Sequence, residues 1–121
     1  MKRYLILLIF LSMGCAAALV GGATAVGTYT YISGQLIGTY NANLETTYHA
    51  VISGCNNLNL PIHNRKLSID RAFIAARDGS KDVWINIKTQ TSTTTKVAVR
   101  VGYLGDEFAS QKIHDAISKE F

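Results

Sequence analysis

"LSIDRAFIAARDGSKDVWINI", residues 67–87, decides the fold. Its Asp78-Gly79 pair is favoured in two-residue hairpin turns, because both central positions of such a turn need positive φ. Apolar and polar residues alternate on either side of it. With Arg77 set opposite Ser80, Ile74 faces Val83 and Ala72 faces Ile85 on one side of the sheet, and Phe73 faces Trp84 on the other. Successive side chains of a strand leave on opposite faces, so Val83, Ile85 and Ile87 point to a common core.

Beyond the Thr-rich stretch at 89–95, the residues Val97, Val99, Val101 and Tyr103 repeat the alternation and predict a further strand. Asp106 then caps a closing helix in which Ala109, Ile113, Ala116 and Ile117 recur at helical spacing. Upstream, "TYTYISGQLIGTY" (28–40) is rich in β-branched and aromatic types and reads as one strand interrupted by Gly34 and Gly38. Asn41 or Asn43 caps a first helix, whose apolar stripe is Leu44, Tyr48, Val51, Ile52, Cys55 and Leu58, and Pro61 ends it.

The order strand, helix, three-strand meander, helix predicts an α+β domain, a two-layer sandwich with both helices on one face of the sheet. The other face then carries Phe73, Trp84, Lys88, Lys96, Arg71, Arg77 and Arg100. Phe73, Trp84, Lys88, Arg100, Arg71 and Arg77 form the candidate partner surface, since aromatic and arginine groups dominate interface energetics. The same residues also make a plain solvated face with one aromatic cross-strand pair, worth under about 1 kcal/mol.

Lys2 and Arg3 precede an apolar run, residues 4–13, and no further charge appears until Glu45. Ten residues are too few to span a bilayer core, which takes ~20 as a helix, but they suit the hydrophobic region of a signal peptide. Gly14 and Cys15 follow, and this junction resembles the end of a bacterial lipoprotein signal, in which a cysteine receives a diacylglyceryl thioether. Gly14 suits the position before the cysteine, while Met13 and Ser12 depart from the pattern and Leu11 is displaced by one. The likeness divides the chain into a leader at 1–14, a lipid-attached Gly/Ala-rich tether with the start of the first strand at 15–35, and a small α+β domain at 36–121. The alternative is a single spanning helix from Tyr4 to about Ala25, in which Cys15 is an ordinary small residue; Gly21, Gly22, Thr24 and Gly27 make its second half a weak helix former.

At 121 residues the chain has material for one core. A formal charge of +4, of which Lys2 and Arg3 leave with a leader, is too mild for a nucleic-acid partner. With Cys15 acylated, Cys55 stands alone on an apolar stripe, so no disulfide scaffold and no activated nucleophile is expected. His49, His63 and His114 fall in different elements without metal-ligand spacing, so neither metal nor cofactor is expected. His49 reads as partly exposed, His114 with Asp115 as a solvated pair, and Ser110 as helix surface without nucleophile-elbow glycines. In "GYLGDEF" (102–108) the carboxylates of Asp106 and Glu107 occupy the helix start that a phosphate would need, so the stretch reads as a capped turn.

"GCAAALVGGATAVGTYTYISGQLIGTY" (14–40) and "VRVGYLGDEFASQKIHDAI" (99–117) resemble an uncharacterised family of short bacterial lipoproteins, a domain of unknown function with a Gly/Ala-rich tract after the lipid cysteine. The resemblance covers most of the chain. It implies a lipid-anchored α+β domain, and its motifs are structural, so no catalytic residue is carried over. The reading as a whole is a non-enzymatic envelope protein, held to the membrane by palmitate-type acyl chains on Cys15 and facing the periplasm. The outer membrane is favoured where there is one, because Ala16 is not the aspartate of inner-membrane retention. An envelope protein or an anionic polymer is the expected class of partner, and an envelope hydrolase using scattered polar residues is the remaining alternative.

Overall fold

The computed structural model describes residues 26–121; the leader, Cys15 and the tether as far as residue 25 lie outside the described residues. The elements are β1 (Val26–Ile32), β2 (Gln35–Tyr40), α1 (Leu44–Asn57), β3 (Ile62–Leu67), β4 (Arg71–Asp78), β5 (Lys81–Thr89), β6 (Thr95–Val101) and α2 (Glu107–Ser118). The strands form one antiparallel sheet in the order β1-β2-β6-β5-β4-β3, with both helices on one face. The α+β two-layer architecture is as expected, but the sheet has six strands rather than four.

The two extra strands come from different places. Ser33 and Gly34 both have positive φ, 53° and 81°, the requirement of a tight hairpin turn, so residues 26–40 are two paired strands and not one interrupted strand. β3, with the sequence IHNRKL, has only Ile62 even partly buried. It is a polar edge strand and carries no alternation to read.

The β4–β5 hairpin corrects the expected register. Asp78 pairs with Lys81, so the turn residues are Gly79 and Ser80, with φ +63° at Gly79. Ile74 therefore faces Ile85, Ala72 faces Ile87, Phe73 faces Asn86 and Trp84 faces Ala75. The slip is two residues, so every side chain keeps its face. Phe73 and Trp84 become diagonal neighbours instead of a direct pair. β6 also ends earlier than expected: Gly102, at φ +76°, turns the chain outward and leaves Tyr103 88% exposed.

The core lies between the sheet and the helices. Tyr40, Ile74, Val83, Ile85, Ile87, Val97, Val99 and Val101 meet Val51 and Cys55 of α1 and Ile113 and Ile117 of α2. The helices approach closely at Gly54, where a Cβ atom would sit 3.1 Å from the Ile117 backbone nitrogen. Asn43 accepts a hydrogen bond from the Thr46 N–H at 2.8 Å, and Asp106 one from the Ala109 N–H at 3.0 Å, so a short side-chain oxygen caps each helix start. That N–H, with the ammonium of Lys81 3.2 Å away, holds the Asp106 carboxyl below the usual range.

The β1–β2 turn packs against the loop between β6 and α2. Arg100 donates to the carbonyls of Tyr103 and Ser33 and so joins the two segments. Gly105, at φ +86°, lies so close that a Cβ there would be 2.5 Å from Gly34 Cα, whereas a Cβ on Gly79 would meet nothing within 4 Å. Gly105→Ala should cost about 3 kcal/mol, from left-handed backbone strain and overpacking together, and Gly79→Ala about 1–2 kcal/mol from backbone strain alone. Equal losses in urea denaturation would show that the close approach contributes nothing.

Candidate functional site

The uncovered face of the sheet gathers every residue expected there. Arg71, Phe73 and Arg77 of β4, Trp84 and Lys88 of β5, and Lys96 and Arg100 of β6 all leave opposite the helix layer. They do not act as one cluster, because several are committed to structure. Arg77 donates to the Asp82 carboxylate at 3.0 Å and to the Ser80 carbonyl at 3.2 Å, closing its own hairpin. Arg100 is held by the two carbonyls already described.

The middle of the face is apolar. Phe73, Asn86, Ala98 and Ile37 stand in one row across four strands, and Trp84 lies beside it, half-buried like Phe73. Ala75, opposite Trp84, is only 4% exposed although neither α1 nor α2 lies on its face.

At one end of the strands Arg71, Lys88 and Lys96 are directly opposite one another on β4, β5 and β6. Like charges in that relation are destabilising. Lys66 adds a fourth cation from β3, opposite Phe73. Asp70 approaches Arg71 at 3.7 Å, both groups well exposed, so that pair is worth little. Among the described residues no carboxylate lies within ion-pair distance of Lys66, Lys88 or Lys96. A depression of about 200 Å³ opens between Lys66, Arg71, Phe73, Asn86 and Lys88. Lys66 escaped the sequence reading because β3 has no apolar period to betray it.

A second polar centre is buried. His114 is fully enclosed, correcting the expectation of a solvated pair with Asp115. The Tyr40 hydroxyl donates to Nδ1 at 2.6 Å and Nε2–H donates to the Leu36 carbonyl at 2.7 Å, an assignment required because a carbonyl only accepts. The Tyr29 ring stands edge-on to the imidazole at 5.0 Å. Burial pushes the His114 pKa down to about 4, against the opposing pull of the Leu36 carbonyl and the Asp115 charge, and pushes the phenols of Tyr40 and Tyr29 up. His114 and Tyr40 are neutral and hydrogen-bonded to each other, which makes them a clamp between α2 and β2.

Cys55 is buried as expected, and desolvation raises its thiol to about 11, so it is not a ready nucleophile. Ser110 is buried as well, contrary to its reading as helix surface; its hydroxyl is the one buried side-chain polar atom among the described residues without a partner. His49 and His63 are exposed. Among the described residues no three His, Cys, Asp or Glu side chains converge as metal ligands, and no helix is long and apolar enough to cross a membrane.

A family described as a protein of unknown function, DUF3568, matches residues 2–120. The chain belongs to the DUF3568 family. No curated protein matches it. Among solved structures, this DUF3568 domain is similar to a conserved protein of unknown function from Enterococcus faecalis, at 10% identity over 76% of this chain and 74% of that one, with a TM-score of 0.41.

The clamp has a pH signature. The folded chain keeps His114 neutral down to about pH 4, whereas the unfolded chain binds that proton near the ordinary 6.5. Between those values unfolding takes up a proton, so stability falls as pH drops from 6.5 towards 4, by about 3 kcal/mol in all. Urea unfolding across this range should show that loss in the wild type and a markedly smaller one in His114→Gln.

Proposed function

We propose that this DUF3568 chain is a lipid-anchored protein of the bacterial cell envelope, processed after Gly14 and acylated on Cys15, and that its domain acts by binding rather than by catalysis. The observation that carries the reading is Gly14-Cys15 placed directly behind a basic start and a ten-residue apolar run. Burying acyl chains contributes about 0.8 kcal/mol per CH₂, and more than one chain is needed for a durable hold. The periplasmic side, and the outer membrane where the envelope has one, follow from the same reading.

Binding is supported by the aromatic centre of the open face, where Phe73, Trp84 and Ile37 stay half-buried with no other layer of the described residues over them. An envelope protein or an anionic polymer matches that mixture of apolar and basic groups.

Metabolic labelling with a fatty acid should mark the wild-type chain and not Cys15→Ala, and the mature mass should begin at the acylated cysteine. Label retained by Cys15→Ala, or a mature chain that starts elsewhere, overturns the anchoring. For the open face, Trp84→Ala should abolish capture of a crosslinked envelope partner with Tm unchanged; a fall in Tm with capture intact assigns the tryptophan to stability alone.

A further inference from the structure

Strand polarity brings the tether and the uncompensated cations to the same end of the domain. Val26 pairs with Tyr40, Tyr40 with Thr95, and Thr95 with Thr89. The chain arriving from Cys15 therefore enters the sheet one residue beyond the row formed by Lys96, Lys88 and Arg71. Ten residues lie between Cys15 and Val26, so the eleven steps from one to the other reach at most about 40 Å. Six strands at ~4.8 Å spacing make the sheet about 24 Å wide, inside that reach. The tip between β3 and β4 lies at the same end, with Ile69 100% exposed and Leu67 46% exposed.

Charge is sorted along the same axis. Of the eight Asp and Glu residues, Asp78, Asp82, Asp106 and Glu107 gather at the opposite end and Glu45 and Asp70 at the tether end, while Asp115 and Glu120 belong to α2 and the residues after it.

We infer that the tether end is a membrane-docking surface, in which Lys66, Arg71, Lys88 and Lys96 engage anionic lipid headgroups while Ile69 enters the interfacial layer. The inference rests on the anchored reading of the preceding subsection. Three like charges set side by side repel one another in the free domain, and a layer of phosphate headgroups turns that repulsion into attraction. Lysine and arginine stems lie along apolar surface while their heads reach for the headgroups. Among the described residues nothing covers Ile69. Because a tether already confines the domain near the bilayer, contacts too weak for a free protein suffice. The opposite end also exposes apolar groups, Tyr103, Leu104 and Phe108, but its cations Arg77, Lys81 and Arg100 stand among four carboxylates, two of them in ion pairs, so that end has no net positive charge to hold it to an anionic surface.

The test uses the full acylated chain reconstituted into protein-free vesicles of phosphatidylcholine alone or with phosphatidylglycerol. An environment-sensitive fluorophore is placed at Ile69→Cys, and at Ser80→Cys on the opposite end as control. In anionic vesicles the probe at 69 should shift to the blue and be quenched by bilayer-embedded quenchers, and the probe at 80 should not. Arg71→Ala, Lys88→Ala and Lys96→Ala should each lower the docked-to-free ratio roughly fivefold, raised salt should act in the same direction, and the triple variant should keep or raise Tm because it removes like-charge repulsion. A probe at 69 that remains as open to aqueous quenchers in anionic as in neutral vesicles overturns the inference. So does protection that appears only in whole envelopes, which assigns this end to a macromolecular partner. Absence of acyl mass on Cys15 overturns the anchoring alone, because a chain held by its apolar N-terminal run still reports docking at 69.

Discussion

Two helices, each about 10 Å across, lie over a sheet about 24 Å wide, and most of the structure follows from that mismatch. One layer of helices covers one face, so β2, β4, β5 and β6 must segregate apolar from polar residues with a period of two. The helix layer reaches the middle of the sheet better than its margins. β3 therefore overhangs as a polar edge, exposed from His63 to Leu67, where its charges discourage pairing with another chain. Among the described residues nothing is layered on the other face, and Trp84, Phe73 and their small neighbours keep part of it dry.

The helix layer is fixed to the sheet by more than apolar area. His114 crosses from α2 into a space that exists because residue 38 of β2 has no side chain: a Cβ there would stand 3.1 Å from the imidazole and 2.9 Å from the Tyr29 ring. Oil-like contacts tolerate sliding. A histidine held at both nitrogens does not, since any shift leaves a buried donor or acceptor unpaired at about 1–3 kcal/mol. The clamp thus sets where α2 lies along β2, and Gly54 sets how near α1 can come to it.

Much of this was legible in the sequence where a single physical rule dominates. The alternation of β4, β5 and β6 gave the core face and the membership of the open face, and Asn43 and Asp106 were readable as caps because short polar side chains suit those positions. The register was not legible, since Asp-Gly and Gly-Ser both make acceptable hairpin pairs and the slip between them preserves every face. Nor was the β1–β2 turn, because Ser33 takes a positive φ that few non-glycine residues adopt. His114 was misread from its neighbour Asp115; its spacing from Ser110 and Ile117, four before and three after, places all three on one helical stripe, and that signal favoured burial. Of the candidate surface, the face was readable but the commitments of Arg77 and Arg100 were not, because both depend on carbonyls and carboxylates in neighbouring turns.

Those commitments divide the cations by chemistry. Arg77 and Arg100 use a planar guanidinium to bridge backbone carbonyls and a carboxylate at the end of the sheet away from Val26, a task for a rigid fork of donors. At the other end Lys66, Lys88 and Lys96 carry compact charges on long flexible stems and have no carboxylate partner among the described residues. A cation that fastens a turn contributes to the fold whatever the surroundings. A row of mutually repelling cations contributes nothing to the fold, and among the described residues only Asp70, 3.7 Å from Arg71, stands within ion-pair distance of any of them. The domain therefore has a structural end and an uncommitted one, and the uncommitted end is the one through which the polypeptide from Cys15 arrives.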